Sequence, residues 1–548
     1  MRAGLRSSTR QGACREDQKT QRGRMQRESA AGMAGPIAAA FLAWVLAGCT
    51  PAKSDPTPPS AAVIVDVHAH AFGARHLPVA GFVSGYKGWP GWAGKLVARI
   101  INLLTWDQID GRATAREVRD VDFDDTDMLQ LLRRVRFDPK ARADPFALAQ
   151  ARGMSVDDAR MPRDPVRARF GIRIEDVPLE SRALIEPQAT ADDEMLDAML
   201  DGLISPAEAK AFVDRGKFAG YVKLAVTLVA PPGVIAQRLV DTYPAVDLFV
   251  PLMMDMEPWF PGFPRPDRPL KRQVADMQQV IREHPGRIHP FLPFDPVRQL
   301  ETGGEALAVV RDNIGQGFLG VKVYPPMGFR AWDNAACVKD EGENHPLAAQ
   351  LDAALAELYD LCVLEDVPIV AHCSPEGAQS GKDRGKRSNP VYWKSVLERK
   401  AWHCLRLDLG HMGGPDLDHD EGWSAAIGQL MTAHPNVYAD LSYGDIHTSP
   451  EGLQAWERFL HRYPVAEQRL MFGSDWMLVL QESGGENYLA RCLEFFSHLE
   501  PAHPGLTARV FGGNALDFLG LRAGGENRAR LAAFYLETFP TGFRPAWW

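Results

Sequence analysis

Cysteine is scarce in this chain, and none of it falls in a metal-binding or redox spacing. The seven residues, Cys14, Cys49, Cys337, Cys362, Cys373, Cys404 and Cys492, contain no C-x-x-C pair, which argues against a zinc ribbon or a thioredoxin-like motif. With Cys14 and Cys49 removed or acylated, five remain, an odd number that points to mostly buried thiols rather than a disulfide framework. Basic excess is missing as well. Residues 1–48 carry eight Lys/Arg against three acidic residues, so the net charge of −9 divides into +5 there and −14 over the rest. That balance argues against a nucleic-acid partner. No internal repeat is apparent, and no apolar run reaches the roughly 20 residues that span a bilayer.

What is present is an ordinary globular composition, 45% apolar and 24% charged, behind a basic leader. The apolar run from Pro36 to Gly48 follows that leader and ends in Leu46-Ala47-Gly48-Cys49, which resembles the bacterial lipobox. Residues 1–48 are expected to be a signal peptide, with Cys49 lipidated. Pro- and Ser-rich 49–62 would then be a flexible, lipid-anchored tether. The expected location is a bacterial membrane-anchored lipoprotein, periplasmic or on the cell surface. A start at Met25 would leave Arg27 as a compact basic region.

From the opening strand at Val63 and again from about Val246, short apolar runs alternate with amphipathic helical stretches, as βα units do. The runs are "VIVDVHAHAF", "VDLFVPLMM", "RIHPFLPF", "FLGVKVYP", "VPIVAHCS", "LRLDLGHM", "NVYADLSY" and "RLMFGSDW". Eight such units predict an α/β fold, a (β/α)8 TIM-type barrel over 63–521 with a C-terminal extension at 522–548. A long helical insertion, 73–217, hangs from the first strand. It includes a capping box at Ser205-Pro206-x-Glu208, and it reads either as a lid over the barrel mouth or as a passive ornament. The acidic run Asp120 to Asp127 lacks the glycine and closing glutamate of a calcium loop and reads as a solvated helix start. The aromatic tail "FRPAWW" is expected to pack back on the domain.

Polar residues gather where the strands run out. His68 and His70 alternate on the first strand and so project to one side. Lys322 lies on the fourth strand, His372 on the fifth, His411 after the sixth and Asp475 after the eighth. A lone histidine at a strand end is usually a hydrogen-bonded structural residue. Here that explanation would have to hold at several places on one rim.

In this order, His-x-His, the fifth-strand His, the sixth-strand His and Gly-Ser-Asp-Trp resemble the amidohydrolase superfamily, in its amidohydrolase-related, aminocarboxymuconate-semialdehyde decarboxylase-like branch. The resemblance implies that His68, His70, His372 and Asp475 hold one divalent ion, with zinc expected, and that His411 lies beside the water it activates. Three imidazoles and a carboxylate suit zinc or a neighbouring first-row ion, and bound zinc can lower the pKa of water to about 7. Asp475 would shuttle the proton while His411 orients the nucleophile or polarises the substrate. Lys322 stays open between a carboxylated metal bridge, a cation for an anionic substrate, and an ordinary partner of a barrel acid. Tyr324 and Arg330 are candidates for gripping a substrate carboxylate. The expected activity is metal-dependent hydrolysis of an amide, lactone or related carbonyl-centred bond of a small molecule. The alternatives are a non-oxidative decarboxylase or hydratase of the same superfamily and a non-catalytic ligand-binding lipoprotein.

Overall fold

The computed structural model describes residues 63–79 and 230–548, apart from 261–264, 267, 337–346, 415–416, 418–420, 445–449, 483–484 and 540–541, together with six isolated positions between 82 and 228. The expected signal peptide, the tether with Cys49, the acidic run and nearly all of the 73–217 insertion lie outside the described residues.

Eight parallel strands follow one another in chain order: β1 (Val65–Ala69), β2 (Leu248–Pro251), β3 (Phe291–Pro293), β4 (Gly320–Val323), β5 (Ile369–His372), β6 (Leu407–Gly410), β7 (Val437–Asp440) and β8 (Leu470–Met471). Each sits inside one of the eight apolar runs. β3 to β8 form one six-stranded sheet in sequential order, and β1 pairs with β2 in a second sheet. Isolated parallel bridges stitch both seams: Phe249 to Ile288 and Leu252 to Phe291 on one side, Ala69 to Trp476 on the other. Between β1 and β2 the register slips between Asp66 and Ala69, next to the two histidines. The result is an α/β fold with strands ordered as a parallel barrel requires, although the ladder is interrupted at the two seams.

The strands are short and buried on both faces, so they need outer helices to cover them. The helix Leu270–Glu283 shows how the sequence meets that need: Leu270, Val274, Met277, Val280 and Ile281 recur at helical spacing and are buried. Each such side chain contributes about 1.5–3 kcal/mol of burial energy. The helix stops at His284, whose backbone N–H reaches Val280, because Pro285 and Gly286 (φ 72°) follow. A side chain at Gly286 would also strike Pro545 at 2.7 Å, so that glycine admits the returning C-terminus. The helices Ala348–Leu364 and Tyr488–Leu499 likewise lie outside the eight strand runs.

Residues 522–548 close the amino-terminal end of the strands rather than trailing away. Asn527 donates to Leu319 and Leu519 carbonyls at 2.6 and 2.8 Å, and the Trp547 indole N–H donates to Gly286 at 2.6 Å. Cys362, Cys373 and Cys492 are buried thiols. Cys404 departs from the thiol expectation: it is disulfide-bonded, to a partner outside the described residues. Among the described residues no helix is long and apolar enough to cross a membrane.

Candidate active site

The carboxyl ends of the strands bring the expected residues together. β1 carries His68 and leads into His70, β5 ends on His372, β6 leads into His411, β7 ends on Asp440, and Asp475 follows β8. Ligand atoms of His68, His70 and Asp475 all lie within 4.8 Å of one another. The His411 ring lies 4.6 Å from both the His68 and the His372 ring. Asp475 and His411 occupy left-handed backbone at φ 54° and 64°, a conformation that costs a non-glycine residue energy and clusters at functional sites.

The outer nitrogen of every imidazole faces an oxygen acceptor. His68 Nδ1 donates to Asp440 Oδ2 at 2.7 Å, His70 Nδ1 to the Leu252 carbonyl at 3.0 Å, and His372 Nε2 to the Glu376 carbonyl at 3.0 Å. His411 Nδ1 donates to Ser442, 2.9 Å from its hydroxyl and 3.2 Å from its carbonyl. A neutral imidazole carries one N–H, so in that form each inner nitrogen presents a lone pair. These lone pairs converge. His411 Nε2 faces His372 Nδ1 at 3.0 Å, and His70 Nε2 lies 2.9 Å from Asp475 Oδ1. His68 Nε2 and Asp475 Oδ1 are buried without any hydrogen bond. Only protons or a cation can reconcile so many inward acceptors.

Burial acts on most of the ring. It lowers the His68 pKa to about 3, His372 well below its ordinary value and His411 in the same direction, so the neutral, ligating forms are favoured. Asp475 is held below the usual carboxylate range: burial opposes ionisation, but His70 and the neighbouring imidazoles outweigh it. Nitrogen donors plus one carboxylate fit a zinc-like ion. His372 turns Nε2 to Glu376 and Nδ1 to His411; among the described residues the ligand groups within 4.8 Å are His68 with His70 and Asp475, and His68 with His411 and Asp440, and His372 is in neither.

Lys322 is 1% exposed and its Nζ has no hydrogen bond. Burial lowers its pKa to about 8, against the pull of Asp440, Asp475 and Asp408. The Tyr324 ring lies beside that of His372, centroids 4.7 Å apart and tilted by 50°. Arg330 lies with its guanidinium 4.6 Å from the Tyr392 ring centre and donates its backbone N–H to Asn334. The structure adds residues that the sequence reading missed. Asp440 and Ser442 back His68 and His411, and Asp66 accepts the Ser474 hydroxyl at 2.6 Å, with its pKa raised to about 7 by burial. For Asp66 a signal was available: "VDVHAH" places it two residues before His68, as His-x-His places His70 two after.

Residues 271–521 match the amidohydrolase family. The matched segment contains Lys322, His372, His411 and Asp475, while His68 and His70 lie before it. No curated protein matches the chain. Among solved structures, the chain is similar to a zinc-bound amidohydrolase from Burkholderia multivorans (18% identity, 53% of this chain and 91% of that one, TM-score 0.34). It is also similar to 4-oxalomesaconate hydratase from Rhodopseudomonas palustris (13%, 56% and 85%, TM-score 0.36). A third is 5-carboxyvanillate decarboxylase from Sphingomonas paucimobilis (14%, 54% and 90%, TM-score 0.33).

Proposed function

We propose that the protein is a metal-dependent hydrolase that cleaves an amide, lactone or related carbonyl-centred bond of a small molecule. It would do so at the carboxyl end of a closed (β/α)8 barrel. The observation that carries the proposal is the convergence of His68, His70 and Asp475, whose ligand atoms lie within 4.8 Å of one another, with His411 beside them. His68, His70, His372 and Asp475 would hold one divalent ion, expected to be zinc, which when bound supplies Lewis acidity and lowers the pKa of water. Asp475, kept ionised, takes the proton of the attacking water and delivers it to the leaving group. His411, with Nδ1–H anchored on Ser442, turns Nε2 toward the reacting carbon's oxygen or the nucleophile.

A second reading, non-oxidative decarboxylation or hydration, is favoured by Lys322, a buried ammonium without a hydrogen bond that would suit a substrate carboxylate. A purely ligand-binding lipoprotein would not need both a ligand set and an adjacent acid–base pair. The test is a screen against lactones, amides and aromatic acids, followed by the reaction in oxygen-18 water. Hydrolysis places one labelled oxygen in the acid product. Carbon dioxide release without label in the remaining product would overturn it in favour of decarboxylation.

We further infer that the mature chain is anchored through a lipid on Cys49 and faces the periplasm or the cell exterior. The leader, apolar run, Leu-Ala-Gly-Cys and tether in series support this, and a disulfide at Cys404 suits an oxidising compartment. Cys49→Ser should leave the chain unprocessed and release it from the lipidated membrane fraction; unchanged processing and membrane attachment would defeat the anchor.

A further inference from the structure

Asp440 and Ser442 sit behind the histidines and take no part in the chemistry above. The Asp440 carboxylate is fully committed. Oδ2 accepts His68 Nδ1–H at 2.7 Å, and Oδ1 accepts the backbone N–H groups of His411 and Ser442 at 3.1 and 3.0 Å and the Ser442 hydroxyl. With its only hydrogen on Asp440, the Ser442 hydroxyl can meet His411 Nδ1 at 2.9 Å only as an acceptor. A continuous chain results, from His411 Nδ1–H through Ser442 O–H to Asp440, and from His68 Nδ1–H to the same carboxylate. The surrounding backbone leaves little room for another arrangement. A Cβ at Gly473 would lie 2.7 Å from His68 Cβ and 3.1 Å from Ser442 Cβ, and one at Gly410 would lie 3.1 Å from His68 Cε1.

We propose that Asp440 is the positioning residue of the site. It holds His68 directly, and His411 through Ser442, as Nδ1–H tautomers whose Nε2 lone pairs point inward. One carboxylate therefore aligns a ligand histidine and the acid–base histidine together. The consequence for metal affinity rests on the metal-centre reading of the preceding subsection; the tautomers do not. Carboxylate–histidine–metal arrays raise ligand basicity and fix ring orientation, and losing the outer partner weakens metal binding by about 10–100-fold.

Two measurements test this. In the metal-free wild-type protein labelled with nitrogen-15 histidine, two-bond nitrogen–proton spectra should show Nδ1–H for His68 and His411 and Nε2–H for His372, assigned with single histidine variants. An Nε2–H tautomer at His68 overturns the proposal, and this result requires no variant of Asp440 to fold. In competition with a chromophoric chelator, Asp440→Asn should bind Zn2+ about 10–100-fold more weakly than wild type, whereas Ser442→Ala should stay within about threefold, because the carbonyl of residue 442 still accepts His411 Nδ1–H. Asp440→Asn with wild-type Zn2+ affinity and an unchanged circular dichroism spectrum overturns the proposal while leaving the metal centre standing. A wild-type protein that takes up no Zn2+ defeats the metal reading instead, and the tautomers then decide the positioning role alone.

Discussion

His68 and His289 are both buried, and burial lowers both pKa values, to about 3 and about 4, yet the two residues do different work. His289 lies at the amino-terminal end of the strands. Its Nδ1 meets the Gly317 carbonyl at 2.7 Å and its Nε2 the Tyr535 hydroxyl at 2.5 Å, with Phe534 and Trp547 packed edge-on. No hydrogen-bonding capacity remains. His68 at the opposite end satisfies only Nδ1. A buried polar atom without a partner costs about 1–3 kcal/mol, and the fold carries that cost at His68, Asp475 and Lys322 on one rim. Burial and a shifted pKa therefore do not distinguish His68 from His289; the unsatisfied Nε2 of His68 does.

The largest test of this contrast is metal content. Wild type should carry about one divalent ion per chain after dialysis against zinc, the joint change His68→Asn and His70→Asn should carry almost none, and His289→Gln should match wild type. Elemental analysis reads all three. Equal metal in the double variant would remove the distinction drawn between the two ends.

Turnover comes next. Once a substrate is found, Asp475→Asn should lower kcat by on the order of a hundredfold or more with KM little changed, because the amide keeps the shape and loses the basicity. A loss confined to KM would make Asp475 a binding group and not the proton shuttle.

The same contrast explains what was legible beforehand. Strand positions were legible because apolar runs bounded by turns survive as strands even when only two residues, Leu470–Met471, keep ladder pairing. His68, His70, His411 and Asp475 were legible because their residue types are uncommon at strand ends and recur on one rim. Asp440 was not, since an aspartate after a strand usually only bonds nearby backbone, which Asp440 also does through the His411 and Ser442 N–H groups. Its bond to His68 spans 372 residues of sequence, and no local pattern encodes that. Arg330 shows the converse. Its position in "VYPPMGFR" suggested the mouth, whereas its guanidinium over the Tyr392 ring is a contact that no local pattern encodes.

Acid stability should expose the structural histidine. His289 titrates near 6.5 when unfolded and near 4 in the fold, so the unfolded chain binds the extra proton between those values. Its contribution is complete above pH 6.5 and is lost as pH falls through about 4. The difference corresponds to about 3 kcal/mol. Denaturant unfolding of the metal-free protein should lose stability of that order across the window, and His289→Gln should flatten the slope. An identical slope in the variant would mean that His289 is not buried neutral.

The smallest expected effect separates crowding around His68 from glycine replacement in general. Gly473→Ala places a methyl 2.7 Å from His68 Cβ and 3.1 Å from Ser442 Cβ; neither is the free end of a flexible chain, so backbone or ring must move. Overpacking of this kind costs about 1–3 kcal/mol. Because the displaced ring carries the inward Nε2, Zn2+ affinity should fall several-fold along with Tm. Gly315→Ala is the control: a Cβ there meets nothing within 4 Å, and the change should be neutral or add about 0.4–1 kcal/mol through the unfolded chain. Thermal unfolding with and without Zn2+ reads both. The zinc-induced rise in Tm should shrink in Gly473→Ala and persist in Gly315→Ala. A full zinc increment in Gly473→Ala would show that His68 tolerates displacement and that its close packing does not set its alignment.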